Sequence, residues 1–257
     1  MKNTMKLRYI LNISFFILGL GTSLAQDNEK LFSKATESYN TNDFKGAIES
    51  YMSILDSGYE SSELYYNLGN AHYKLNQVGK SIYYYEKALK LNPDNEDARN
   101  NLVFANQMTV DVITPLPKTW YTQLSNRITS LFSLSTWAIF PILSVFTFVI
   151  CFLIYFFTPS TILKRIFFTL TLVCIVTAVG TYFIANFHYK NYVNEKYAIL
   201  FEKTIRVFAE PNAYSSEVFI LHEGTKVEII ETLNEWIKIR LADGKIGWVK
   251  ENVLRVL

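Results

Sequence analysis

The side chains of this chain that could do chemistry are few and scattered. The three histidines, His72, His188 and His222, are far apart in sequence, and the two cysteines, Cys151 and Cys174, both lie inside long apolar runs. Neither cysteine has metal-ligand spacing, and a disulfide framework would place its cysteines in water-soluble segments, so both read as small apolar packing groups. No G-x-S-x-G, H-E-x-x-H, phosphate-loop or dinucleotide pattern occurs. We therefore expect no catalytic residue, no metal site and no cofactor, and hence not an enzyme. The net charge of +2 provides no electrostatic footprint for nucleic acid. What the chain does have is aromatic side chains, with 17 tyrosines among them. Three of them, Tyr39, Tyr66 and Tyr73, suit recognition by aromatic contact and a few hydrogen bonds.

The elements that position these tyrosines show in a repeat. Tyr39 pairs with Tyr73, Asn42 with Asn76, Phe44 with Val78, Ala47 with Ser81, Ile48 with Ile82, Tyr51 with Tyr85 and Leu55 with Leu89, each 34 residues on. That is the period of a helix–turn–helix unit, and the second copy, Ser62 to Asn95, resembles the tetratricopeptide-repeat family. Tyr65, Leu68 and Gly69 hold the packing positions of the first helix, Tyr85 and Ala88 those of the second, and Pro93 the closing turn. The first copy, 28–61, is looser, with Ala35 for Gly69, Ile54 for Ala88 and Tyr59 for the proline. Residues 96–108 continue the register as a capping helix. Carrying the family's groove positions across gives Phe32, Thr36 and Tyr39 in the first copy and Tyr66, Asn70, Tyr73 and Lys74 in the second. Such a groove would hold an extended or helical partner segment; the plain alternative is that its tyrosines only pack the helices. The family's carboxylate-clamping version places basic residues in the third groove helix. Here those places hold Asn100 and Phe104, so no such clamp is expected.

Residues 137–157 and 166–187 contain no charged side chain, and each is long enough to cross a bilayer core of about 30 Å. The absence of ionisable residues argues against a transport pathway. At the other extreme, Lys2, Lys6 and Arg8 precede the apolar run Ile10–Leu20 and a small-residue stretch ending at Ala25, the pattern of an export signal at 1–25. An uncleaved anchor helix is the alternative. If residue 26 begins outside, 158–165 is a cytoplasmic loop carrying Lys164 and Arg165, in line with the positive-inside rule. The modules before and after the hairpin then share the exported side.

Residues 109–136 are a linker in which Leu116, Trp120, Leu124, Ile128 and Leu131 form a weak amphipathic stripe, suited to a membrane surface or to packing. Residues 188–196 are a second linker. From Tyr197 the period changes to two, with turn residues at Glu210–Asn212, His222–Gly224 and Ala242–Lys245, predicting a barrel of five or more strands over 197–257. The run Leu221–Val227, Trp236, Asp243-Gly244 and Gly247-Trp248-Val249 resemble the bacterial SH3 family, whose members bind peptides or cell-wall fragments or are structural. Trp236 and Trp248 are the candidate ligand-face rings, with barrel core as the alternative for each.

The fold class read here is a multi-domain membrane protein: an all-α tetratricopeptide-repeat domain, a two-helix transmembrane hairpin and a small all-β SH3-like barrel. Domain order, together with Tyr65–Leu89, resembles the BatE-like component of the aerotolerance operon of Bacteroidetes-type bacteria. That resemblance implies an inner-membrane protein with both soluble modules in the periplasm. It also implies partnership with membrane-bound von Willebrand A-domain proteins and a MoxR-type ATPase system. The expected function is a non-catalytic scaffold. The alternative is a wall-sensing or wall-anchoring protein that binds peptidoglycan through the barrel.

Overall fold

The computed structural model describes residues 27–117, 119–194 and 196–257; the export signal expected at 1–25 lies outside them. The first half is a run of five helices: α1 (27–40), α2 (Phe44–Asp56), α3 (Ser62–Lys74), α4 (Val78–Leu91) and α5 (Glu96–Gln107). The 34-residue repeat is visible in the turns. Asn42 and Asn76, one in each copy, sit at φ +64° and +57°. Asparagine tolerates this left-handed region better than most residues. The next helix can then start at once, α2 with an Asp43 side-chain cap on the Gly46 amide. The first copy lacks the closing proline, and Gly58, at φ +84°, closes α2 instead, its amide bonding the Leu55 carbonyl at 2.9 Å.

Packing between α3 and α4 explains the glycine read from sequence. A Cβ on Gly69 would lie 2.6 Å from the Tyr85 ring, so the ring lies flat on bare backbone there. The Ser81 hydroxyl donates to the Gly69 carbonyl at 3.0 Å, which satisfies a polar group buried in the crossing. Ser61 caps α3 through the Leu64 amide and Asn95 caps α5 through the Ala98 amide. Asn95 also donates to the Ser62 hydroxyl, which donates to the Ala88 carbonyl, tying the ends of three helices together.

Three further helices follow: α6 (Trp120–Thr129), α7 (Leu134–Phe157) and α8 (Thr161–Asn194). α7 and α8 pack as a hairpin, apolar around most of their circumference, and each is long and apolar enough to cross a membrane. Only Thr158–Ser160 connects them, so Lys164 and Arg165 lie in the first turns of α8 rather than in a free loop. A helix satisfies its own backbone bonds whatever its side chains, so a charge pair does not end it; long charged stems at such an end can reach back to the interface.

The C-terminal part is one antiparallel sheet of seven strands: β1 (Tyr197–Leu200), β2 (Thr204–Phe208), β3 (Glu217–His222), β4 (Lys226–Leu233), β5 (Trp236–Arg240), β6 (Ile246–Lys250) and β7 (Leu254–Val256). Their order is β3-β2-β6-β5-β4-β1-β7. The predicted Asp243-Gly244 turn joins β5 to β6, with Gly244 at φ +89°. The β4–β5 hairpin turns at Asn234, φ +53°, a signal not read from sequence. Ile205, Val207, Leu221, Val227, Ile237, Ile239 and Val249 fill the barrel.

The helical repeat through Thr114 and the barrel Tyr197–Leu257 form one compact unit, and Pro115–Lys196 forms a second. From sequence, the repeat and the barrel read as separate modules; in the structure they are packed on each other.

Candidate partner-binding site

The groove side of the repeat holds a cavity of about 270 Å³ lined by Tyr39, Tyr66, Asn70, Tyr73, Lys74, Tyr85, Asn101 and Phe104. Five of the seven groove residues expected from sequence are therefore brought together: Tyr39 from α1 and Tyr66, Asn70, Tyr73 and Lys74 from α3. Phe32 and Thr36 are not in its wall. Phe32 packs edge-on against Tyr51, and the Thr36 hydroxyl bonds the Phe32 carbonyl and lies 3.2 Å from the Tyr51 hydroxyl. Both serve the α1–α2 contact.

Three wall residues, Tyr85, Asn101 and Phe104, are not among those seven. The Tyr85 ring packs between the helices, as its repeat position implies, but its hydroxyl reaches the cavity and donates to Asn70 Oδ1 at 2.6 Å. Asn101 donates to the same oxygen at 2.8 Å. Phe104 lines the cavity from the third groove helix, and beside it Asn101, not Asn100, faces the cavity; Asn100 is exposed. A shift of one residue turns a helical side chain by about 100°, which the short capping helix, without a repeat copy to align against, did not reveal.

These bonds set what the cavity can offer. Asn70 Oδ1 already accepts twice, leaving the Asn70 amide donors and the Lys74 ammonium on one helix face, four residues apart. None of the eight lining residues is acidic. Burial, with the nearby Tyr66 hydroxyl adding to it, raises the Tyr39 phenol above its usual value, and burial raises that of Tyr85 further, so both remain neutral hydrogen-bonding groups. Aromatic walls with donors suit an extended segment that brings one apolar or aromatic side chain and a nearby acceptor.

His72, next to Tyr73 on α3, turns inward. It is 4% exposed, stacked on Tyr84 with ring centroids 5.2 Å apart, and its Nδ1 lies 2.6 Å from Gln77 Oε1. Burial lowers its pKa to about 4, with Lys80 adding to the shift and the Gln77 contact opposing it. It is a neutral packing group at pH 7.

The barrel rests on α4, and no barrel residue lines the cavity. Ile199 of β1 joins the buried core of the repeat, and Phe201 meets Tyr83 edge-on at 5.5 Å. Two glycines permit the approach: a Cβ on Gly79 would lie 2.8 Å from the Leu200 carbonyl, and one on Gly224, at φ +87°, 2.9 Å from both Ile82 and Thr109. Around the glycines, Lys226 reaches both oxygens of Glu86 at 2.8 Å. Asp111 then fastens the β3–β4 turn. Its carboxylate accepts from the His222 amide at 2.7 Å and the Thr225 hydroxyl at 2.5 Å, and pairs with His222 Nδ1 at 2.7 Å. Burial alone would raise the Asp111 pKa, but these bonds outweigh it and hold it below the usual carboxylate value. His222, read from sequence as part of the barrel turn, is thus half of a link between modules.

Trp236 and Trp248, the candidate ligand-face rings, are 6% and 8% exposed. Trp236 packs edge-on against Phe208 with Lys250 over its face, and Lys238 lies over Trp248. Gly247 allows the closure, since a Cβ there would overlap Val207. In this arrangement both rings are barrel packing with lysine covers.

Comparison with known proteins agrees with these two folds. No curated protein matches the chain. Among solved structures, a protein of the NlpC/P60 family from Bacillus cereus ATCC 10987 matches at 14% identity over 25% of this chain and 21% of its own, with a TM-score of 0.21. The chain therefore spans about a fifth of that protein, and a likeness so slight carries no argument. Neither of the two family models that match is that of an enzyme: residues 62–95 match the tetratricopeptide repeat and residues 203–254 the bacterial SH3 domain. The chain thus combines a tetratricopeptide-type helical repeat and a bacterial-SH3-like barrel, separated in sequence by two helices apolar enough to cross a membrane.

Proposed function

We propose that this chain is a non-catalytic, membrane-tethered scaffold that holds a partner protein in the groove of its repeat. The observation that carries this reading is the aromatic and amide-lined cavity between α1, α3, α4 and α5, open while the barrel occupies α4. Tetratricopeptide stacks use this groove for protein recognition. In the finer form, the chain is the BatE-like member of an aerotolerance complex, with both soluble modules in the periplasm. Its partners are then membrane-bound von Willebrand A-domain proteins and, through them, a MoxR-type ATPase. Domain order supports that form.

The test is the double substitution Tyr66→Ala/Tyr73→Ala in the native membrane, with crosslinking and mass spectrometry of co-purified proteins. Recovery of the groove partner should fall about tenfold or more, since buried aromatic anchors dominate such interfaces. Tyr59→Ala, an exposed change in the turn after α2, should leave it intact. Unchanged recovery with a folded repeat refutes the groove.

The match of 203–254 to the bacterial SH3 family favours a second reading, in which the barrel binds peptidoglycan. Ile199 and Phe201 pack into the repeat, so the fair test is the full chain in detergent with purified sacculi rather than the barrel alone. Retention lost on Lys238→Ala and Lys250→Ala would place the ligand at the tryptophan covers; no retention of the unaltered chain ends this reading.

A further inference from the structure

The strongest surface not used by the groove or the module junction is α6. Trp120, Leu124 and Ile128 recur every four residues on one side of the helix, with Tyr121 beside them, and Leu131 continues the run just past its last turn. Thr122, Ser125, Asn126 and Thr129 occupy the other side, where the Ser125 and Thr129 hydroxyls bond carbonyls of their own helix. Most of the apolar side is bare: Trp120 is 76% exposed, Tyr121, Leu124 and Leu131 are also exposed, and Ile128 is half-buried. Ten residues with that much uncovered ring and aliphatic surface need a cover.

The fastening of α6 to α7 identifies the cover. Only Ser130–Ser133 separate the two helices. The Trp137 indole N–H donates to the Thr129 carbonyl at 3.1 Å, joining the first turn of α7 to the last of α6. Phe132, Trp137 and Phe140 lock the corner as three mutually edge-on rings, with centroids 5.2 to 5.6 Å apart. α7 is apolar around most of its circumference; on the reading of α7 as a spanning helix, the end joined to α6 lies where hydrocarbon gives way to headgroups. Tryptophan and tyrosine prefer that boundary. Arg127, at the edge of the apolar stripe, is the one charged side chain between Thr119 and Leu163, and its stem is long enough to reach lipid phosphates.

We propose that α6 is an interfacial membrane helix, its Trp120–Leu124–Ile128–Leu131 face inserted at the headgroup–acyl boundary, which holds the start of α7 at a set depth. This rests on the reading of α7 and α8 as spanning helices. With a single cation, insertion is driven by aromatic and aliphatic area and is insensitive to salt.

The test uses the full chain in lipid nanodiscs with Cys151 and Cys174 replaced by alanine. Nitroxide labels are placed singly at Leu124→Cys, Asn126→Cys and, as a reference on an exposed side of α7, Ile150→Cys. Collision with oxygen and with a water-soluble nickel complex reports depth. The proposal expects position 124 to favour oxygen, 126 to favour nickel, 150 to lie deepest, and none to shift in high salt. Nickel access at 124 with oxygen access at 150 overturns the α6 proposal alone. Nickel access at 150 overturns the spanning reading beneath it. Protection of 124 from both reagents means protein covers the stripe, and also overturns the proposal.

Discussion

His72→Phe should remove a defined part of the pH dependence of the repeat's stability. The fold refuses a proton on His72 that the unfolded chain accepts: the folded value is about 4 and the ordinary one 6.5. Because the folded value is the lower one, this contribution is complete above pH 6.5. It drains away as pH falls towards 4, where the folded protein also takes the proton. Linkage makes the loss about 2 kcal/mol between pH 7 and pH 5, and about 3 kcal/mol in full. An exposure of only 4% means little solvent screening reduces the figure. Phenylalanine keeps the stacking on Tyr84 and cannot titrate, at the cost of the Gln77 hydrogen bond, about 1 kcal/mol at neutral pH. The assay is hydrogen exchange of the α3 and α4 amides in the detergent-solubilised chain at pH 7 and pH 5, corrected for intrinsic exchange. The unaltered protein should lose about 2 kcal/mol more protection than His72→Phe over that interval. Equal losses in the two proteins would show that the carboxylates, not His72, govern acid sensitivity, and the reasoning from burial would be refuted.

Two further outcomes concern the junction between repeat and barrel. Gly224→Ala combines a positive φ with a clash against Ile82 and Thr109, and should cost about 1–2 kcal/mol, read as faster exchange in the β3–β4 turn and the start of α4 with the barrel strands unchanged. Asp111→Asn keeps the shape but turns an amide donor towards donors, and should loosen the same turn by about 1–3 kcal/mol. Because the Asp111 pKa is held low, its contribution in the unaltered protein is present above the ordinary carboxylate value and lost as pH falls through the folded one. The two proteins should therefore converge once Asp111 is protonated in the fold, and a difference that persists in acid strong enough to protonate it would contradict this account.

Local chemistry alone determined the kinds of element in this chain and their order. A 34-residue recurrence, a charge-free run longer than a bilayer core and a switch to period two are statements about which face of each element must leave water, and a face is encoded within the element itself. So α3 and α4, the apolar hairpin and the Asp243-Gly244 turn were legible, and so were five of the seven groove residues that share one cavity. What tertiary structure decided were meetings between segments far apart in the chain. Asp111 reaches His222 and Thr225 across 111 and 114 residues. Ile199 completes a core begun at Ala35. Two ordinary-looking glycines, Gly79 and Gly224, turn out to be the places where backbones touch. The direction of Asn101 rather than Asn100, and the lysine-covered burial of Trp236 and Trp248, belong to the same class. A side chain's type limits what it can contact, but its partner is chosen by packing, which depends on the whole chain at once.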